Sequence, residues 1–301
     1  MKGQIALENT QFSVKEKLAD YLLLGKIRLS FSVVFSAIAG YLLGADTIIW
    51  LEVLLLSIGG ILVVTASNGF NQILEKDRDG YMDRTKNRPL PSMRMTVLNA
   101  FSFSAISMIL GLAMLYLINP LSAFFGGLSI FIYVLVYTPL KAYSPLAVFV
   151  GAIPGAIPFM LGWVAATNQF GIESGALFAL QFLWQFPHFW AIAWLVYNDY
   201  AKAGYYLLPT RKKDNVSAIL AILYTIWMIA VSVLPYFGLT GNLSLSLPST
   251  IIIVLIGFYM LWKAIAMYKG QTEKDAKKLM LASIMYLTLV QVVFVIDKMI
   301  A

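Results

Sequence analysis

The chain has 301 residues, of which 60% are hydrophobic and only 12% are charged. Soluble domains average about 45–50% apolar and about 25% charged residues. This chain has more apolar side chains than one water-soluble core of its size could bury, so its composition excludes soluble, disordered and fibrous proteins. It predicts an all-α, polytopic membrane protein.

The charge balance narrows the function classes further. The 22 Lys and Arg residues outnumber the 15 Asp and Glu residues, which gives a net charge of +7. In a membrane protein this excess is typical of the positive-inside rule and of contact with anionic lipid, and not of nucleic-acid binding. The chain has no cysteine and one histidine, His188, which excludes disulfides, thiolate catalysis and His-cluster metal sites. Any bound metal should be a hard ion with oxygen ligands, such as Mg²⁺.

Nine segments are apolar over roughly the 20 residues that a membrane-spanning helix needs. These predicted spans lie at 29–45, 50–70, 95–118, 121–138, 146–167, 175–197, 216–238, 248–268 and 279–297. The segment 1–25 before them is polar, has no apolar stretch followed by a cleavage site, and is expected in the cytoplasm. No linker or shift in composition divides the sequence, so residues 1–301 are predicted to form one membrane domain.

The distribution of Lys and Arg predicts the topology. Twenty-one of the 22 fall in the N-terminal segment and alternate loops, or at the span ends beside them, and only Lys298 falls on the other side. The positive-inside rule then gives a cytoplasmic N-terminus and a C-terminus outside. The cytoplasmic loops after spans two and six are long and mix acids with bases, so we expect the function on that face.

The second span continues into a group of polar residues that suits a metal–diphosphate. Asn71, Glu75 and Asp79 follow each other at i, i+4 and i+8, which spreads them over only about 80° of one helix face. Like charges at this spacing repel unless a cation lies between them, and Mg²⁺ bridging to a phosphate fits. Arg84 and Arg88 follow and could bind phosphoryl oxygens. The alternative is a solvated helix end that only obeys the positive-inside rule.

The sixth span carries a second polar group. Gln185 and His188 lie at mid-helix beside Pro187, which should kink the helix, and together they suggest the wall of a pocket. A structural role for His188 remains as well founded as ligand contact. The span ends at Asp199, with Lys202 after it, much as the second span ends in acids followed by bases. This likeness hints at a pseudo-repeat that brings both groups together over one central cavity.

The loop between spans four and five contains a single base, Lys141. It is therefore a candidate for a third contact to phosphate. The Gly, Pro and Ala residues from Gly151 to Pro158 permit close helix packing or broken helix geometry beside a cavity. Packing alone explains that run equally well.

Several motifs together resemble the UbiA-type intramembrane prenyltransferases. The motifs are Asn71-Gln72-x-x-Glu75-x-x-x-Asp79, Met82-x-Arg84-Thr85-x-x-Arg88-Pro89-Leu90, Tyr137-Thr138-x-Leu140-Lys141, Trp184-Gln185-x-Pro187-His188-Phe189, Asp199-Tyr200-x-x-Ala203-Gly204 and Lys26-x-Arg28. The Asn-Gln-x-x-Glu form of the first motif is similar to that of the branch of this family that farnesylates protoheme. Nine spans around a cavity also agree with the family architecture.

The resemblance implies an Mg²⁺-dependent enzyme in a bacterial inner membrane, with its active site on the cytoplasmic side. The implied reaction joins the farnesyl group of farnesyl diphosphate to a vinyl group of heme b, adds water and releases diphosphate. Heme b is then a substrate and not a cofactor. Besides these two substrates, the implied partners are the lipid bilayer and a heme A synthase or an oxidase assembly partner.

The charges and the resemblance together suggest roles for three groups of residues. The expected catalytic residues and Mg²⁺ ligands are Asn71, Glu75, Asp79 and Asp199. The expected diphosphate ligands are Arg84, Arg88, Lys141 and Lys202. The expected lining of the heme pocket is Gln72, Tyr137, Gln185 and His188.

Three other interpretations compete with this one. The nearest is a related prenyltransferase that modifies an aromatic acid for quinone synthesis. A membrane transporter would also carry polar residues in its spans, but its ionisable groups would be expected near the midplane rather than at the helix ends. An assembly or scaffolding membrane protein would show no dependence on Mg²⁺.

Overall fold

The computed structural model describes residues 13–300, and these form helices joined by loops, of which those after α3 and α9 are the longest. The first four helices are α1 (Val14–Gly25), α2 (Ile27–Gly44), α3 (Trp50–Asp79) and α4 (Val97–Ile118). They are followed by α5 (Pro120–Phe131), a π-helical stretch (Ile132–Tyr137), α6 (Thr138–Leu140), α7 (Ala147–Thr167) and α8 (Ile172–Leu195). The last elements are α9 (Tyr197–Lys202), α10 (Asn215–Ser232), a 3₁₀ turn (Leu234–Phe237), α11 (Leu247–Gly270) and α12 (Glu273–Ile300).

Helix α1 lies within the segment 1–25, for which the sequence predicted a polar, cytoplasmic segment and no helix. Residues 1–12 of that segment lie outside the described residues, but the rest is helical. The Ser13 hydroxyl accepts a hydrogen bond from the Glu16 backbone N–H (3.2 Å), and the Glu16 carboxylate accepts one from the Ser13 N–H (2.7 Å). This capping box satisfies two N–H groups at the helix start, and its Ser-x-x-Glu pattern is visible in the sequence.

Eight helical segments of the described chain are long and apolar enough to cross a membrane. They are α2, α3, α4, the segment Pro120–Leu140, α7, α10, α11 and α12. Helix α8, predicted as the sixth span, has 24 residues, about 36 Å of helix, but its Gln, His and Pro residues lower its hydropathy. The chain is thus an all-helical, multi-pass membrane protein, while the count of nine spans and the sides of the termini stay predictions.

Helices α2 and α7 join the two halves of the bundle. One hydrophobic core cluster joins residues of α2, α7, α8, α10, α11 and α12, and another joins residues of α2 to α5 and α7, so of the described helices only α2 and α7 contribute buried residues to both. At the crossing of α2 and α7, a Cβ added to Gly40 would lie 2.0 Å from the Phe159 carbonyl oxygen, and one added to Gly162 would lie 1.9 Å from that of Ala37. Only glycine permits this approach, which is how small residues bring membrane helices together.

The helical irregularity that bears on the site lies at the end of the fourth span. Helix α8 runs without interruption through Pro187, and α7 runs through Pro154 and Pro158, so broken helix geometry is absent from both. The π-helical stretch Ile132–Tyr137 interrupts the Pro120–Leu140 segment instead. Such π turns often occur at functional sites, and this one immediately precedes the residues that reach the end of α3.

Candidate functional site

Helix α3 continues to Asp79, as the sequence predicts. Asn71, Glu75 and Asp79 are all buried, with exposed fractions of 2%, 4% and 0%. A buried carboxylate is costly unless it is paired and hydrogen-bonded. The partners of the two acids therefore define the site. We use the name ladder site for Asn71, Glu75 and Asp79 together with the side chains that pair with them.

Glu75 is paired with the base of the loop between α6 and α7. The Lys141 ammonium lies 2.5 Å from Glu75 Oε1, and the Tyr205 hydroxyl donates a hydrogen bond to the same oxygen at 3.1 Å. The ammonium also lies 5.1 Å from the ring centroid of Tyr137 and 5.2 Å from that of Tyr205, within cation–π range. Burial alone would lower the pKa of Lys141, but the Glu75 carboxylate and the nearby tyrosines raise it above its ordinary value. Lys141 is therefore a cation at neutral pH.

Asp79 is paired with an arginine of the loop that follows α3. Arg88 Nη1 lies 2.6 Å from Asp79 Oδ2, and the Thr85 hydroxyl donates to the Asp79 backbone carbonyl at 2.8 Å. The other carboxylate oxygen, Oδ1, is buried and has no hydrogen-bond partner among the described residues. A buried, unsatisfied carboxylate oxygen favours a cation or a donor beside it.

Asn71 connects the ladder site to the π-helical stretch. Its amide Nδ2 donates to the Thr138 hydroxyl at 2.9 Å, and that hydroxyl donates to the Tyr133 carbonyl at 2.8 Å. The side-chain nitrogen of Asn71 is thereby used, which leaves its amide oxygen as the atom that could coordinate a metal. The π stretch, through Thr138, thus fixes the orientation of the first ladder residue.

Asp199 does not join the ladder residues in this structure. Its carboxylate oxygens accept hydrogen bonds from the backbone N–H groups of Asp83 (2.8 Å) and Arg84 (3.3 Å), so it caps the start of the loop after α3. Within residues 13–300, no three His, Cys, Asp or Glu side chains lie close enough together to hold a metal. The four predicted Mg²⁺ ligands are therefore three neighbours on α3 and one capping residue on α9.

Two of the predicted diphosphate ligands, Arg84 and Lys202, lie where α9 meets the loop after α3. Lys202 pairs with the exposed Asp83 carboxylate, and hydrogen bonds from Lys202 and Lys86 lower the pKa of Asp83 to about 2. The Arg84 guanidinium lies 5.8 Å from the ring centroid of Tyr200. Of the four bases predicted to bind diphosphate, Lys141 and Arg88 pair with ladder carboxylates, whereas Arg84 and Lys202 lie where α9 meets the loop after α3.

The residues predicted to line a heme pocket contact different helices. Gln72 donates to the Leu24 carbonyl of α1 at 2.7 Å, and Gln185 donates to the Ala152 carbonyl of α7 at 2.8 Å. The His188 ring instead meets α12, and Tyr137 lies beside Lys141. Gln72 and Gln185 are therefore engaged in helix contacts on different sides of the bundle.

Two residues near the ladder site, Lys26 and Tyr205, were not predicted from the sequence as site residues. Lys26, between α1 and α2, has a left-handed backbone (φ 48°), and its pKa is lowered to about 7 by burial and by the nearby Arg88 and Lys141 charges. Tyr205 is held by Arg78, whose guanidinium lies 5.4 Å from the Tyr205 ring centroid and donates to the Ala203 carbonyl at 3.0 Å. The motif Lys26-x-Arg28 was a signal for the lysine, whereas nothing in the sequence pattern distinguished Tyr205.

A cavity of about 180 Å³ opens beside the ladder site. Its lining includes Lys141, Ser144, Gly204 and Arg211. Arg211 donates to the Tyr143 carbonyl at 2.8 Å, which fixes this second base at the rim. The lining combines two cations with backbone and hydroxyl groups, a combination that favours an anionic ligand.

Comparison with known proteins identifies the family of this chain. The chain belongs to the UbiA prenyltransferase family, whose model matches residues 33–290. It is 58% identical over 283 residues to a protein of Christiangramia forsetii named protoheme IX farnesyltransferase, and the match covers 94% of each chain. A protein of the same name from Flavobacterium psychrophilum is 56% identical over 96% of this chain and 98% of its own length.

Among solved structures the fold is shared with more distant relatives. A UbiA homologue from Archaeoglobus fulgidus, solved with GPP and Mg²⁺ bound, is 16% identical with a TM-score of 0.65, covering 92% of this chain and 99% of that one. This likeness shows the fold alone.

Proposed function

We propose that the chain transfers the farnesyl group of farnesyl diphosphate to a vinyl group of heme b, with addition of water, giving heme O and diphosphate. The single observation that carries the proposal is the pair of buried ion pairs at the end of α3, Glu75 with Lys141 and Asp79 with Arg88. The choice of substrates is supported by the names of the relatives that share more than half of this sequence.

The two ion pairs suit the binding of an anionic diphosphate. In each pair the carboxylate and the base satisfy one another, so neither charge is left unpaired when no substrate is bound. An arriving diphosphate offers oxygen atoms to Lys141 and Arg88, and Lys26 adds a third positive charge nearby when it is protonated. The carboxylates that these bases leave are then available to a divalent cation.

Catalysis would consist of stabilising the negative charge that develops on the leaving group. The vinyl carbon forms its bond to C1 of the farnesyl chain while the bond from C1 to the diphosphate oxygen breaks. Water then adds to the resulting carbocation and loses a proton. Guanidinium and ammonium donors fixed beside the departing oxygen lower this barrier, and one such donor typically contributes about 3–4 kcal/mol. No general base has to activate the vinyl nucleophile.

The ladder residues fit magnesium as a partner of the diphosphate. Their donors are carboxylate and amide oxygens, the ligands that Mg²⁺ prefers, and one buried oxygen of Asp79 lacks a hydrogen-bond partner among the described residues. Asn71, Glu75 and Asp79 would hold the ion, and Asp199 on α9 would join them if the loop after α3 released its carboxylate. When bound, magnesium would supply charge neutralisation of the diphosphate. The Archaeoglobus homologue with bound GPP and Mg²⁺ supports this choice.

We propose that residues 1–301 form one domain in a bacterial inner membrane, with the ladder site facing the cytoplasm. The support is the concentration of Lys and Arg in alternate loops. A heme A synthase or an oxidase assembly factor would receive the product.

The experiment uses membranes that contain the full chain. They are supplied with labelled farnesyl diphosphate and either heme b or 4-hydroxybenzoate, and extracted pigments are analysed for a heme heavier by a hydroxyfarnesyl group. Label in heme, lost on chelation with EDTA and restored by Mg²⁺, is expected. Label in the aromatic acid would identify the related quinone prenyltransferase instead, and uptake without diphosphate release would favour a transporter.

A further inference from the structure

His188 has an environment typical of a metal-binding histidine. It lies on α8, half-buried, and its Nδ1 atom is 2.8 Å from the Ser283 hydroxyl on α12. The ladder site does not use it. Only the ring nitrogen that keeps its lone pair can bind a metal.

The hydrogen bonds of Ser283 determine the tautomer. Its hydroxyl donates to the Met280 backbone carbonyl at 2.6 Å. A hydroxyl has one proton, so towards His188 the Ser283 oxygen must accept, and the ring must donate through Nδ1–H. In the neutral ring Nε2 then carries the lone pair. It has no hydrogen-bond partner among the described residues and is not one of their fully buried unpartnered atoms, so it stays partly exposed.

The orientation of the ring is fixed from a second side. The Trp184 indole stacks on the His188 ring with centroids 4.6 Å apart and an interplanar angle of 17°. The same indole donates through Nε1 to the Ser283 backbone carbonyl at 2.6 Å. Helix α12 thus holds both rings through one residue. Metal-binding histidines usually donate their other N–H to a carboxylate, a backbone carbonyl or water, which fixes both tautomer and orientation. Here the acceptor is the Ser283 hydroxyl.

A lone imidazole cannot hold a bare metal ion. Among the described residues no cluster of three His, Cys, Asp or Glu side chains could supply the remaining ligands. The ion must therefore arrive with most of its coordination sites already filled, as iron does in a porphyrin. The aromatic side chains of Trp184 and Phe189 beside the ring also suit a flat aromatic ligand.

We propose that Nε2 of His188 is an axial ligand of the iron of heme b. The Nε2 lone pair forms a coordination bond to iron without proton or electron transfer, and the bond breaks when the product leaves. His188 lies seven residues before the end of α8, about 10 Å by helical rise, so the ligated iron would lie along α8 and not at its C-terminal end. The choice of an iron porphyrin as ligand rests on the proposed function.

The test compares heme b with its iron-free analogue on the purified full chain. Heme b and protoporphyrin IX are titrated into wild type, His188→Ala and Gln181→Leu, with absorption and resonance Raman spectra of the bound heme. Gln181 lies on the same helix and is not part of the site, so its variant controls for general damage. We expect His188→Ala to lose the iron–imidazole spectral signature and at least about 10-fold in heme affinity, with protoporphyrin IX binding unchanged.

A rescue experiment separates ligation from packing. In His188→Gly, added imidazole should restore the iron–imidazole signature, which a purely structural histidine would not allow. Identical heme spectra in wild type and His188→Ala, or an equal loss of heme and protoporphyrin IX binding, would overturn the proposal. Heme O formation is measured separately: transfer without ligation refutes this inference alone, and ligation without transfer refutes the proposed function alone.

Discussion

Arg88 and Asp79 provide the most direct test of the ladder site. The Arg88 side chain is 18% exposed and the Asp79 side chain is fully buried, and their atoms approach to 2.6 Å. Arg88→Gln would leave the Asp79 carboxylate buried without its cation. Breaking a buried pair in this way costs about 3–5 kcal/mol, and the partial exposure of Arg88 favours the lower end, about 3 kcal/mol of unfolding free energy. Losing a leaving-group donor should also reduce kcat by about 10²–10³-fold.

Two further variants separate the loss of stability from the loss of rate. Asp79→Asn combined with Arg88→Gln removes both charges and should recover most of the lost unfolding free energy, while transfer stays low. Arg94→Gln breaks another Arg–Asp pair of the same loop, which joins Arg94 to Asp20 at 2.9 Å outside the ladder site. It should reduce stability but not the transfer rate of the folded protein.

The assays are thermal unfolding in detergent and heme O formation followed by chromatography, with kcat and KM measured per folded protein. The reasoning is refuted if Arg88→Gln retains a near wild-type kcat once corrected for folding. It is equally refuted if the double variant regains transfer together with stability, because the donor would then have no role in the reaction.

Two smaller predictions concern the neighbours of the pairs. Lys26, with its pKa near 7, is protonated below that pH and loses its charge above it. The KM for farnesyl diphosphate should therefore rise as the pH increases above about 7, and Lys26→Arg should flatten this rise in initial-rate measurements. Tyr205→Phe removes one hydrogen bond to Glu75 and should lower the unfolding free energy by about 1–2 kcal/mol; an unchanged melting curve would contradict that contact.

The spanning helices could be predicted because a hydrophobic stretch of sufficient length leaves the backbone few alternatives in a bilayer. The continuation of α3 to Asp79 was predictable for a similar reason, since no helix breaker precedes Gly80. Helix α1 was missed although Ser13 and Glu16 form a recognisable capping box. The π-helical turn had no sequence signal, because it depends on how the fourth span packs.

The partners of the charged residues could not be predicted from spacing. A carboxylate at a helix end can bind a metal, pair with a base or cap backbone N–H groups, and these options have similar sequence patterns. Asp199 caps the loop that contains Asp83, and Gln72 contacts α1, because the tertiary fold brings those N–H and carbonyl groups within reach. The sequence identifies which groups can act, but the approach of distant loops decides what each one meets.

The pairing of Glu75 with Lys141 and of Asp79 with Arg88 also explains how so polar a site tolerates burial. Unpaired, each charge would cost several kcal/mol to desolvate, and like charges one turn apart on α3 would repel. A bound metal–diphosphate carries both signs of charge. The metal can take the place of each base beside its carboxylate, and a phosphoryl oxygen can take the place of each carboxylate beside its base. Substrate exchange then requires the charges to change partners, with no buried charge left unpaired before or after.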